Sequence, residues 1–172
     1  WGCEFVENPP QAGWLDPAGS QTAGSPKSIS QIAYALDNTT KTRAIFEINK
    51  GTNKISDIDV NANIPDEDRR VPIQNMIYIA DGPSDIPVFS IVNRFGGRTF
   101  AVYQPGSNEE FSQVNNLQKQ SRVQSYGEAD YTGGSQTAMW INNAVNEIAE
   151  LIVTNRQRVL GDKIGKPPKH LG

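Results

Sequence analysis

The fold is decided by residues 76–85, which read MIYIADGPSD. The apolar run at 76–80 is typical of a buried β-strand, and it ends at Asp81, a Gly-Pro-Ser turn and Asp85. Open α/β sheets bind their ligands at the carboxyl ends of the strands, which is where this strand places its two carboxylates. Because Mg²⁺ is commonly held by one or two carboxylates together with phosphate oxygens, the stretch predicts a metal-assisted phosphate site.

The segments around this strand alternate between helical and extended patterns. We predict a helix at 41–49 capped by Thr39 or Thr40, and a helix at 85–94 capped by Ser84. The further predicted elements are a strand at 99–103, a helix at 108–119, a short strand within 123–131, and a helix at 136–156 capped by Ser135. This order predicts an α/β fold, a Rossmann-like parallel sheet flanked by helices.

The last predicted helix has the clearest amphipathic pattern in the chain. Seven apolar residues recur on it at helical spacing: Trp140, Ala144, Val145, Ile148, Ala149, Leu151 and Ile152. We expect this stripe to belong to the core rather than to contact a cofactor.

Composition limits the classes of function. The 172 residues suffice for one domain with a core, which we place at 1–160, with 1–38 mostly irregular and 161–172 as a flexible tail. The net charge of −3, without a basic run, argues against nucleic acid as a partner. No apolar run in the sequence is long enough to span a membrane. Cys3 is the single cysteine, which favours a cytoplasmic location.

Lys41 supports the phosphate interpretation, because it stands at the predicted start of a helix upstream of the strand. If that helix packs beside the strand, its ammonium group reaches the same sheet edge, holds a phosphoryl oxygen and balances the carboxylates. Two simpler interpretations stay open at this point. Lys41 could be a solvated lysine in a first turn, and Asp81 and Asp85 could be ordinary turn and cap residues.

Three stretches together resemble a known family. They are TKTR at 40–43 with its flanking threonine, FEINKG at 46–51, and YIADGPSDIPVFS at 78–90. In this order they are similar to the C-terminal half of a haloacid dehalogenase-like (HAD) hydrolase of the phosphatase type. The resemblance is strongest over 41–103 and extends to the helix that contains Trp140.

The resemblance implies a set of roles. Lys41 matches the family's third motif, which stabilises the charge of the phosphoryl group, and Asp81 and Asp85 match the acidic fourth motif. Asp81 would ligate Mg²⁺ directly, Asp85 would ligate or orient it through water, and Gly82 and Ser84 would contact the substrate. The implied reaction is hydrolysis of a small phosphorylated substrate through an aspartyl-phosphate intermediate.

The nucleophile motif of that family, an Asp-x-Asp at the end of an apolar strand upstream of Lys41, does not occur in residues 1–40. Asp57 and Asp59 form the one Asp-x-Asp, but they follow a polar run and come after Lys41, in the wrong order. We therefore expect a C-terminal fragment of a phosphatase, inactive alone, whose exposed sheet edge favours self-association.

Two alternatives to the enzyme remain. The first is a non-catalytic HAD-like binding module or pseudoenzyme, which would share the fold. The second is a calcium-binding loop around Asp57 and Asp59, which is disfavoured because Ala62 stands where the sharp turn requires glycine.

Overall fold

The structure, a computed structural model, describes residues 3–7, 29–55 and 57–164. The strands in these segments are β1 (Glu4–Glu7), β2 (Ile29–Tyr34), β3 (Ile77–Ala80), β4 (Arg98–Tyr103) and β5 (Ser125–Glu128). The α-helices are α1 (Asn38–Lys50), α2 (Ile86–Arg94), α3 (Asn108–Lys119) and α4 (Gln136–Ile164). Short 3₁₀ turns occupy Asp66–Asp68, Ile73–Asn75 and Pro83–Asp85.

The central sheet has the order β3-β4-β5, and both of its strand pairs are parallel. Helix α2 connects β3 to β4, and α3 connects β4 to β5, so each connection is a βαβ crossover. Strands β1 and β2 form a separate antiparallel pair. The predicted α/β fold, with a parallel sheet flanked by helices, is confirmed.

The two faces of β4 are covered by different helices, because neighbouring side chains on a strand point to opposite sides. Ala101 belongs to a buried cluster with Phe89 of α2 and with Val114 of α3. Phe100, the preceding residue, packs its ring against Trp140 of α4 at a centroid distance of 4.6 Å. The sheet therefore lies between two layers of helices.

Two of the three predicted helix caps were wrong, and both errors concern turns beside the candidate site. Helix α1 is capped by Asp37, whose Oδ1 accepts the Thr40 amide at 2.7 Å, while Thr40 Oγ1 accepts the Asp37 amide. Ser84 caps nothing, because Pro83–Asp85 forms a 3₁₀ turn that runs directly into α2. The third prediction is confirmed, since Ser135 Oγ accepts the amide of Ala138 at 3.1 Å.

The apolar stripe predicted on α4 is only partly buried. Ala144 and Ile148 are in the core, whereas Val145 and Ile152 are 49% and 46% exposed, and Ala149 is exposed as well. The reason is length: a helix of 29 residues is about 43 Å long, and the longest strand of the sheet, six residues, spans about 20 Å. The second half of α4 therefore extends past the sheet.

Some predictions concern the ends of the chain. Helix α4 continues to Ile164, into the segment predicted as a flexible tail, and residues 165–172 lie outside the described part. The segment predicted to be mostly irregular, 1–38, contains all of β1 and β2, while residues 1–2 and 8–28 also lie outside the described part. Among the described helices, none combines the length and the apolar character that a membrane crossing requires.

Candidate functional site

Four side chains meet at the carboxyl end of β3, around a buried carboxylate. Asp85 lies in the turn after β3, and its side chain is 1% exposed. Lys41 of α1 places its Nζ 2.8 Å from Asp85 Oδ1, across 44 residues of sequence. Two of the predicted site residues are thereby brought into direct contact.

Helix α1 positions the lysine through its capping box. The reciprocal bonds between Asp37 and Thr40 fix the first turn, and the Lys41 amide donates to the Asp37 carbonyl at 2.9 Å. A cation in the first turn of a helix is disfavoured by the helix dipole. Because Asp85 faces this position, the buried carboxylate offsets that cost and holds the ammonium group at the sheet edge.

The remaining hydrogen-bonding capacity of Asp85 is also used. Its Oδ1 accepts the Tyr78 hydroxyl at 2.5 Å, and its Oδ2 accepts the Ser84 hydroxyl at 3.0 Å. Burial raises the pKa of the Asp85 carboxyl, but the hydrogen bonds from Lys41, Tyr78 and Ser84 outweigh it and leave the pKa below its ordinary value. Asp85 is therefore ionised at neutral pH.

Tyr78 is the member of this cluster that the sequence analysis missed. Burial raises the pKa of its hydroxyl, and the hydrogen bond to Asp85 and the charges of Asp85 and Asp81 raise it further. The group therefore stays a protonated donor across the physiological range. The signal in the sequence was its position in the strand: it is the single residue of β3 with a polar side chain, and the acidic turn begins three residues later, at Asp81.

Asp81 is the exposed side of the site, and Gly82 beside it is buried. Asp81 is exposed and directly follows β3, so it lies at the carboxyl end of the same strand that contains Tyr78. Gly82 has an extended backbone, with φ of −163°, that any residue can adopt. A Cβ atom at Gly82 would meet no heavy atom within 4 Å, which leaves room for a ligand to approach the main chain.

The other acidic motif lies elsewhere in the fold. Asp59 stabilises a turn in the connection between α1 and β3, where its Oδ1 accepts the Asn61 amide at 2.8 Å. Within residues 3–7, 29–55 and 57–164, no three Asp, Glu, His or Cys side chains are grouped closely enough to hold a metal ion. The described part of the chain thus supplies at most a pair of carboxylates at any one metal position.

Replacing Tyr78 with phenylalanine is expected to lower the free energy of unfolding by about 1.5 kcal/mol near pH 7, since a hydrogen bond to a charged group is lost. The pKa of Tyr78 is higher in the folded state than in the unfolded state, where it is near 10. Tyr78 therefore stabilises the fold fully below about pH 10, and this contribution is lost as the pH rises toward the folded-state pKa. The difference between wild type and Tyr78→Phe should therefore shrink above about pH 10, as urea denaturation at several pH values would show.

Tyr131→Phe is the matched control, because the Tyr131 ring is mostly exposed. It should change the free energy of unfolding by less than about 0.5 kcal/mol at any of these pH values. Equal behaviour of the two variants would mean that the bond between Tyr78 and Asp85 contributes no net stability.

Comparison with known proteins finds one relative of substantial identity. Over 147 residues the chain is 36% identical to an uncharacterized protein of Borreliella burgdorferi (strain ATCC 35210 / DSM 4680 / CIP 102532 / B31). The match covers 82% of this chain and 47% of the relative, so the chain spans about half the length of the relative that it matches. No family model matches the chain. No solved structure matches it either.

Proposed function

We propose that this chain carries the lysine and the acidic turn of a magnesium-dependent phosphatase of the HAD-like type. The observation that carries the proposal is the contact between Lys41 and Asp85 at the carboxyl end of a parallel strand, beside the exposed Asp81. An ion pair alone is common in proteins. A lysine and two acids at the ligand-binding edge of an α/β sheet, in the order found in that family, are a more specific combination.

The two carboxylates differ in what they can offer a metal ion. Asp81 is exposed and fits a direct ligand of Mg²⁺, which takes one or two protein carboxylates together with phosphate and water oxygens. Asp85 already accepts three hydrogen bonds, so it fits the role of orienting Lys41 and of reaching the metal through water. Bound Mg²⁺ would neutralise charge on the transferring phosphoryl group.

Lys41 would bind a phosphoryl oxygen of the substrate. Its side chain is 29% exposed, so Nζ can donate to a ligand while one of its three donors remains on Asp85. A small phosphorylated substrate would approach beside the exposed Ser84 and contact Gly82, whose missing side chain leaves free space next to the buried main chain. The attacking carboxylate, which forms the aspartyl-phosphate, would come from a segment outside these 172 residues.

The proposal is tested with p-nitrophenyl phosphate. The full-length gene product that contains these residues is expected to release p-nitrophenol in the presence of Mg²⁺ and to stop when EDTA is added. The 172-residue chain alone should show no turnover above the buffer rate. If the 172-residue chain alone hydrolyses the substrate, the inference that its nucleophile lies outside these residues is wrong. If the full-length product hydrolyses neither this substrate nor any of a panel of phosphate esters, the proposed phosphatase function is wrong.

A non-catalytic module of the same fold is the second candidate. It is favoured by the absence of an Asp-x-Asp in residues 1–40. Such a module would bind inorganic phosphate or a phosphate ester at Lys41 without hydrolysing it. The same assay separates the two functions, and the cytoplasmic location remains a prediction for either.

A further inference from the structure

One oxygen atom of Asp85 accepts hydrogen bonds from two side chains at the same time. Lys41 Nζ lies 2.8 Å from Asp85 Oδ1, and the Tyr78 hydroxyl lies 2.5 Å from the same atom. The other oxygen, Oδ2, accepts the Ser84 hydroxyl at 3.0 Å. Because each carboxylate oxygen has two lone pairs, Lys41 and Tyr78 together use the accepting capacity of Oδ1. The lysine therefore shares its anchor atom with the tyrosine.

The three donors differ in how firmly the fold holds them. Tyr78 lies on β3, where it pairs with Thr99 of β4. Its ring packs edge-on against the fully buried ring of Phe89, at a centroid distance of 5.5 Å. By contrast, Ser84 is exposed and its hydroxyl can rotate, and Lys41 reaches the carboxylate through a long, flexible side chain. Tyr78 is thus the donor that the sheet and the core fix most tightly.

The fixed hydroxyl limits the positions that the Lys41 ammonium group can take. The terminal torsion of an aspartate is soft, so a carboxylate without a fixed donor can rotate. Lys41 could then contact either oxygen of Asp85, or both. With the Tyr78 hydroxyl on Oδ1, the lysine is confined to the remaining side of that oxygen. Since the Lys41 side chain is 29% exposed, its other two N–H donors can reach a ligand from this one position.

We propose that Tyr78 is a positioning residue, which fixes Asp85 Oδ1 and thereby holds the Lys41 ammonium group in the orientation that meets a phosphoryl oxygen. The phosphoryl ligand rests on the proposed function, whereas the control of Lys41 by Tyr78 rests on the contacts alone. Tyr78 acts through Asp85 and Lys41 rather than on the substrate. Such control matters because a misplacement of about 1 Å can lower a rate by about 100-fold.

The mobility of the Lys41 side chain tests the proposal without an activity assay. In the full-length gene product, ¹³C relaxation of the Lys41 ε-methylene group gives an order parameter. In wild type it should lie well above that of the exposed Lys54, and in Tyr78→Phe it should drop toward the Lys54 value. The phenylalanine keeps the ring that packs on Phe89, so the variant removes the hydroxyl alone.

Ile148→Val is the matched control for a general loss of stability. Ile148 is buried on α4, on the face of the sheet opposite to α1 and α2, and the variant removes one buried methyl group there. Urea denaturation should show that it destabilises the fold to an extent similar to Tyr78→Phe. The order parameter of Lys41 should nevertheless stay at its wild-type value, because the hydrogen bonds to Asp85 are intact.

Kinetics of the full-length product with p-nitrophenyl phosphate and Mg²⁺ give the second measurement. In Tyr78→Phe, kcat should fall at least about 10-fold while KM changes less than about threefold, since a preorganised cation contributes mainly to the transition state. Ile148→Val should keep kcat within about twofold of wild type, as expected for a substitution far from the site.

Two results would overturn the proposal. Lys41 could keep its wild-type order parameter in Tyr78→Phe, or Ile148→Val could mobilise Lys41 as much as Tyr78→Phe does. If Lys41 is mobilised in Tyr78→Phe alone but the full-length product hydrolyses no phosphate ester, the positioning role stands and only the proposed phosphatase function is contradicted. If the product is active and Tyr78→Phe keeps the wild-type kcat, the phosphatase stands and the positioning role is wrong.

Discussion

The Asp81→Asn variant of the full-length gene product is expected to lose at least about 100-fold of its magnesium-dependent phosphatase activity, which corresponds to about 2.7 kcal/mol of transition-state stabilisation. The amide keeps the shape of the side chain but removes the negative charge that would attract Mg²⁺. Because Asp81 is exposed, the variant should unfold at the same urea concentration as wild type. The measurement is the initial rate as a function of Mg²⁺ concentration. The Mg²⁺ concentration that gives half of the maximal rate should be higher for Asp81→Asn than for wild type.

Glu128→Gln is the matched control for this variant. Glu128 is an exposed carboxylate at the carboxyl end of β5, the far strand of the same sheet, so it has the same chemistry at a different position. It should retain at least about half of the wild-type rate at every Mg²⁺ concentration, since surface substitutions away from a site have small effects. Equal losses in both variants would point to the overall charge of the sheet edge rather than to a metal ligand at Asp81.

The elements of the fold were predictable because their signals are local. Residues 108–119 have helical spacing between a capping serine and a basic last turn, and the structure has the helix at these bounds. The parallel sheet followed from the alternation of helices and strands along the chain. The cap of α1 was misplaced because Asp37, Thr39 and Thr40 all belong to the residue types that favour N-caps, and three candidates stand within four positions. The cap of α2 was wrong because the 3₁₀ turn Pro83–Asp85 occupies the position where Ser84 would cap the helix.

The features that the sequence did not predict depend on long-range geometry. An apolar stripe on a helix indicates which face can be buried, but Ile152 is exposed because the short strands end before the helix does. The contact between Lys41 and Asp85 could be anticipated from the order of the motifs, whereas the part that Tyr78 plays in the cluster could not. The sequence marks Tyr78 as the one polar side chain in an apolar strand, but it does not indicate that the fold brings its hydroxyl onto the Asp85 carboxylate.

Replacing Lys41 with methionine is expected to lower the free energy of unfolding of the full-length gene product by about 2–3 kcal/mol at pH 7. The variant leaves the buried Asp85 carboxylate without its cationic partner, and breaking a buried ion pair in this way costs about 3–5 kcal/mol. The lower value is expected here because Lys41 is partly exposed, and because methionine keeps the apolar stem that packs beside β3. Urea denaturation measures the difference.

The pH dependence separates this mechanism from a simple packing defect. In wild type the lowered pKa of Asp85 makes its ionised form stabilising above about pH 4, and this contribution is lost as the pH falls through the folded-state pKa. In Lys41→Met the Asp85 carboxylate is still buried but lacks the lysine, so its protonation removes an unpaired buried charge. The difference in the free energy of unfolding between wild type and Lys41→Met should therefore shrink below about pH 4.

Two further variants complete the test. Lys54→Met, at an exposed lysine, should stay within about 0.5 kcal/mol of wild type. Adding Asp85→Asn to Lys41→Met should recover part of the loss at pH 7, because the neutral amide no longer requires a cation. If Lys41→Met is as stable as wild type, or if its deficit is the same at pH 3 and pH 7, the ion pair does not stabilise the fold. Lys41 would then be held in place by the capping box of α1 alone.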